Sequence, residues 1–120
     1  MINEDGTPSG AAFIPRRTDK ALSVNWVEYF NCANRELAIG ELREVYSQFR
    51  KKKRDLIAIM NVGDVCEIEA ENRALTVLHD PIDGGDESHS GIFGYTADDI
   101  EVAELVRLTV QETFAATDRQ

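Results

Sequence analysis

The stretch Arg73–Tyr95, RALTVLHDPIDGGDESHSGIFGY, sets two short apolar runs on either side of a loop rich in aspartate and glycine. Asp-Pro and Gly-Gly are turn dipeptides, and runs of four residues are too short to be helices. The stretch therefore predicts two strands, Leu75–Leu78 and Ile92–Tyr95, joined by a loop over His79–Ser90. A chain with this in its middle is not all-helical. Both histidines of the protein, His79 and His89, stand where the apolar runs meet the loop.

The flanking sequence alternates between strand and helix patterns. Ala11–Ile14 (AAFI) reads as a first strand stopped by Pro15, which cannot donate to a ladder. Leu22, Val24 and Trp26 alternate with polar residues, predicting a half-buried strand with Trp26, the single tryptophan, as a core anchor. Asn34 is a good N-cap, and Ala38, Leu42, Val45, Tyr46 and Phe49 make one face of a helix running to Lys53. That helix ends in Arg50–Arg54, five bases in a row. Cations there complement the negative helix end, and the run reads either as a solvated helix end or as a phosphate-binding patch. Leu56–Met60 is a continuous apolar run, typical of a central strand covered on both faces. Val62–Glu71 fits helix and strand spacing alike, and Asn61 as cap with Asp64 three positions on favours a short helix. Thr96, followed by Asp98 and Asp99, opens the last helix, whose apolar face is Ile100, Ala103, Val106, Val110 and Phe114. The expectation is an α+β fold: residues 11–120 as a single two-layer domain, with a mixed sheet of about four to five strands, two long helices and one short one. Met1–Gly10 is expected to be a mobile tail.

A chain of 120 residues can bury one core but not two. No apolar run approaches the ~18 residues of a membrane span, and Met1–Gly10 has no apolar segment of a secretory signal. A cytoplasmic protein without membrane contact is expected. Cys32 and Cys66 form no C-x-x-C pair and read as reduced, buried small apolar residues. The net charge of −9 is uneven: residues 1–54 sum to +3 and residues 55–120 to −12. Such asymmetry suggests a polarised surface and a charged partner, and an acidic domain argues against nucleic acid.

The loop HDPIDGGDESHS offers Asp80, Asp83, Asp86 and Glu87 between two histidines. Its spacing matches neither the EF-hand loop nor H-E-x-x-H, so no metal ligands are assigned. His79 and His89 are candidate catalytic residues, since imidazole titrates near neutrality and can serve as general acid and base. Arg16 or Arg17 would then hold an anionic substrate. The competing reading has both histidines ending strands and hydrogen-bonding the loop backbone. Ser88-His89-Ser90 lacks the G-x-S-x-G elbow of a serine nucleophile. There is no phosphate-cradling glycine motif and no interleaving of aromatic with basic residues. No cofactor is indicated.

Three segments, R-x-T-D-K-x-L-S-V-N-W (Arg16–Trp26), N-V-G-D-V (Asn61–Val65) and H-D-P with S-H-S-G-I (His79–Pro81, Ser88–Ile92), resemble a group of small uncharacterised bacterial proteins. The resemblance spans most of the chain after residue 10 and implies a bacterial cytosolic protein. It brings forward Arg17, Asp19, Ser23, Trp26, His79, Asp80, Ser88 and His89 as a set. With Arg16, the binding candidates are Arg16, Arg17, Asp19, Trp26, Asp80 and Ser88. Two functions are expected from the sequence. The first is an acidic interaction module for a protein partner, a basic one in particular. The alternative is a small enzyme or ligand-binding domain using His79 and His89, with Arg17 and Asp19, on a phosphorylated or nucleotide-like ligand.

Overall fold

The computed structural model describes residues 8–45, 56–82 and 86–115. The chain forms an α+β domain in which every described strand pair is antiparallel. In place of one mixed sheet of four to five strands there are three small sheets among the described residues, of three, two and two strands.

The hairpin expected at the centre of the chain is present. Strand β5 (Thr76–His79) pairs with β6 (His89–Phe93), and β1 (Ala21–Asn25) adds to the other side of β6, giving the order β1-β6-β5. Leu22, Val24, Val77 and Ile92 line one face of this sheet and pack into the main core with Phe13, Val65, Ala70, Leu75, Tyr95, Ala103 and Val106. Trp26 does not join them. The strand ends at Asn25, the chain turns into a 3-10 helix over Val27–Phe30, and Trp26 lies 45% exposed at its start. Strand alternation predicts the facing of a residue only while the strand continues.

Ala11–Ile14 is not a strand. Gly10–Phe13 forms a 3-10 helix against the last helix, burying Phe13, whose carbonyl accepts a hydrogen bond from the buried Tyr95 hydroxyl. A four-residue apolar run carries too little periodicity to separate the two states. The expected tail falls mostly on residues 1–7, outside the described residues.

Helix α1 (Arg35–Val45) starts at the expected cap: the Asn34 side chain accepts from the Leu37 amide at 2.9 Å. The rest of that expected helix and the Arg50–Arg54 run lie outside the described residues. Strand β2 (Leu56–Met60) is covered on both faces as expected, yet among the described residues it has one hydrogen-bonded neighbour, β7 (Val110–Ala115). Ile57 and Ile59 pack against α1 through Ile39 and Leu42, while Ala58 and Met60 face the main core. Helix α2 (Val62–Cys66) is capped by Asn61, whose side chain accepts from the Asp64 amide. The ambiguous segment resolves into both readings in turn, because strand β3 (Glu69–Ala70) follows α2. Strand β4 (Arg73–Ala74) closes a tight hairpin on β3 through Glu71 and Asn72, both at positive φ (52° and 67°). Cys32 and Cys66 are free thiols.

The last helix differs most from expectation. Thr96–Asp99 forms a turn, with the Thr96 amide donating to Asp99 Oδ2 at 2.7 Å, and helix α3 spans only Ile100–Leu108. Thr109 then donates both its amide and its hydroxyl to the Val106 carbonyl, and the chain continues directly as β7. Val110 and Phe114 fit a helical face in sequence, but their burial comes from the β2 pairing. A bulge opposite Ile59/Met60 flips the strand between them, so Val110 meets the main core and Phe114 meets the α1 cluster. Among the described residues no helix is long and apolar enough to cross a membrane.

Candidate functional site

The loop closing the β5–β6 hairpin is held by backbone bonds at both of its ends. The Asp80 amide donates to the His89 carbonyl, and the Ile82 and His89 amides both donate to the Asp86 carbonyl. Beneath it sits a buried polar cluster. Ser88, 1% exposed, donates to Asp86 Oδ1 at 2.8 Å and accepts from Asn25 Nδ2 at 2.9 Å; Asn25 also donates to Asp86 Oδ2 at 2.6 Å. A buried carboxylate is tolerated only when its oxygens are satisfied in this way. The cluster also fixes the end of β1, because the Trp26 amide donates to the Ser88 carbonyl. Ser88 is thus a buried strut, inaccessible as a nucleophile or a ligand contact.

The two histidines do not meet. His79 is paired with Ser90, and His89 with Asn25. Residues directly opposite in a ladder share a face and neighbours along a strand alternate, so the imidazoles point to opposite faces of the sheet. Each donates to the loop backbone: His79 Nε2 to the Glu87 carbonyl and His89 Nδ1 to the Asp80 carbonyl, both at 2.8 Å. A carbonyl only accepts, so those nitrogens carry the hydrogens. This is the strand-ending arrangement that competed with the acid–base reading. Asp80 is exposed, with its carboxylate 3.9 Å from His89 Nδ1.

The basic candidates are also elsewhere. Arg16 pairs with Asp19 at 2.7 Å and Arg17 with Asp98 at 3.2 Å. These residues precede β1 at its Ala21 end, whereas His89 meets the Asn25 end, four residue steps away. At ~3.3 Å per residue that is roughly 13 Å. Arg16, Arg17 and Asp19 therefore do not converge with either histidine. A shallow groove lined by Asn34, Arg35, Glu36, Glu112 and Phe114 is crossed by the Arg35–Glu112 ion pair.

What the fold does bring together is an exposed aromatic cluster around His79. Trp26 meets His79 edge-on with centroids 5.2 Å apart, Tyr29 lies 6.3 Å from Trp26 and 5.9 Å from His79, and the interplanar angles run from 45° to 67°. Trp26 is 45% and Tyr29 38% exposed. The Tyr29 hydroxyl donates to Glu87 Oε2 at 2.7 Å, and this bond holds the phenol above its ordinary pKa. Glu87 thus receives Tyr29 on its side chain and His79 on its carbonyl, tying the rings to the loop. Glu28 and Asp80 are exposed on the same two segments. Those segments, residues 21–34 and 74–106, contain no lysine or arginine.

Of the expected site residues, Trp26 and His79 come together; Asp80 follows the end of β5 with its carboxylate on the His89 side, and Ser88 is buried with Asp86 and Asn25. Tyr29 and Asn25 are not singled out by the sequence, and Asp86 and Glu87 stand out there only as loop carboxylates between the histidines. Trp26 and Tyr29 at three-residue spacing were the available signal for a shared face, had a helical turn been expected there. No protein-family model matches the chain, and none of the curated proteins or solved structures matches it.

Proposed function

We infer that this chain is an interaction module that binds a basic protein partner through the Trp26–Tyr29–His79 surface. The observation that carries the reading is an exposed tryptophan clustered with an exposed tyrosine on segments that hold carboxylates and no lysine or arginine. Tryptophan and tyrosine dominate binding hot spots because they offer large contact area at low entropic cost. Glu87, bonded to Tyr29, and the acidic segments that carry the rings attract cationic groups and repel phosphates, which favours a basic protein over nucleic acid. The setting of this reading is the bacterial cytosol.

The test is fluorescence anisotropy of a labelled lysine-rich peptide titrated with the protein at low and at high salt. Binding that weakens several-fold as salt rises, and at least tenfold in Trp26→Ala, is the expected result. Failure to bind, or affinity insensitive to ionic strength and to Trp26, would overturn the reading.

A further inference from the structure

We propose that the group recognised at this surface is a quaternary ammonium, presented as a trimethyllysine side chain within a basic segment of the partner. The proposal rests on the preceding reading of the surface and names the chemistry that the three rings select.

The rings form a corner, not a stack. Their centroids make a triangle with sides of 5.2, 5.9 and 6.3 Å, and no two planes lie closer to parallel than 45°. The triangle is small enough for one position to lie within the ~6 Å reach of a cation–π contact from all three centroids. Trp26 and Tyr29 are rings that favour a cation over their faces, and both residues are exposed to an incoming group.

The acceptors around the rings set the kind of cation. An ammonium brings three N–H donors and a guanidinium five, all of which must be satisfied when water is displaced. Here the Glu87 carbonyl is engaged by His79 Nε2, and its Oε2 by the Tyr29 hydroxyl. The acceptors shown beside the rings are thus already engaged, against a large ring surface. A quaternary ammonium has no N–H to satisfy and presents methyl groups to the rings. The Glu87 carboxylate still supplies charge attraction, which needs no hydrogen bond. A neutral trimethylated analogue of equal shape would lose both the charge and the cation–π terms.

The experiment compares two labelled peptides of one lysine-rich sequence, one with its central lysine trimethylated, by anisotropy against the whole chain. The trimethylated peptide is expected to bind about tenfold more tightly. Tetramethylammonium chloride should displace it more strongly than sodium chloride of equal ionic strength. Trp26→Ala and Tyr29→Phe separate the roles: the first abolishes the preference, while the second keeps the ring and retains it. If both peptides bind equally, the quaternary-ammonium proposal fails and the basic-partner reading stands. If neither binds, both fail. Circular dichroism of each variant guards against loss of fold, and loss of the preference in a well-folded Trp26→Phe would overturn a role for ring faces in general.

Discussion

Tyr95 provides a test of the packing that underlies the whole sheet. It is 3% exposed, and its hydroxyl donates to the Phe13 carbonyl at 2.5 Å, joining the 3-10 helix at the start of the domain to the chain just after β6. Tyr95→Phe keeps the ring and removes the donor. A net hydrogen bond contributes about 0.5–1.5 kcal/mol, and leaving a buried acceptor without a partner costs about 1–3 kcal/mol, so a loss of about 1–2 kcal/mol is expected. Unfolding entropy of about 2.1 cal/mol/K per residue over 120 residues makes each 1 kcal/mol worth about 4 °C. The variant should melt about 4–8 °C below the parent near neutral pH. A second readout comes from alkali. Burial pushes the Tyr95 phenol up to about 12, against about 10 in the unfolded chain. A raised folded value means that the protonated form is favoured by the fold. Its stability is fully present below pH ~10 and is lost as pH rises toward ~12. At pH ~11 the parent should have lost about 1 kcal/mol through this residue, a loss absent from the phenylalanine variant. Urea unfolding at neutral pH and at pH ~11 measures both differences. Equal midpoints at neutral pH, with parallel declines in alkali, would refute the burial and the bond together.

Two further outcomes follow from the geometry. Ser88→Ala removes a buried hydroxyl that both donates to Asp86 and accepts from Asn25, and a destabilisation of about 1–3 kcal/mol is expected by urea unfolding. It should also weaken peptide binding, since the hydroxyl ties Asn25, which precedes Trp26, to Asp86, which precedes Glu87; an unchanged midpoint would show that the cluster does not hold the loop. Glu71→Asn places a residue that tolerates positive φ where Glu71 sits at 52° in the two-residue β3–β4 turn, and should stabilise by about 0.5–1 kcal/mol, read as a higher melting temperature.

Local signals in the sequence were legible where a side chain acts on its own neighbours. Asn34 and Asn61 cap the helices they were expected to cap, because an amide oxygen three residues from a backbone N–H needs no tertiary context. The central hairpin was legible for the same reason, its turn residues being local. Val110–Phe114 was not, because apolar residues four apart satisfy a helix as well as a bulged strand, and only the β2 partner, some fifty residues earlier, decides. The sheet count failed likewise: strand existence is local, but which strands meet is not.

The candidate surface was half legible, and the missing half explains the shift from histidine chemistry to aromatic recognition. Sequence placed His79 and His89 at the ends of adjacent strands, which invites pairing them. Register then separates them, since one step along a strand reverses the face. The same rule works in the opposite sense for Trp26. Alternation with Leu22 and Val24 assigns it to the core side of β1, and that is the side on which His79 lies beside Ser90. Because the strand stops one residue short of it, Trp26 extends past the end of the core and meets His79 in the open. The fold therefore turns a residue patterned for burial into the wall of an exposed site, with Tyr29 brought up by the 3-10 turn that follows. An aromatic residue that alternation assigns inward, at the last position before a strand breaks, marks such a site only when the neighbouring strand ends at the same level with a ring of its own.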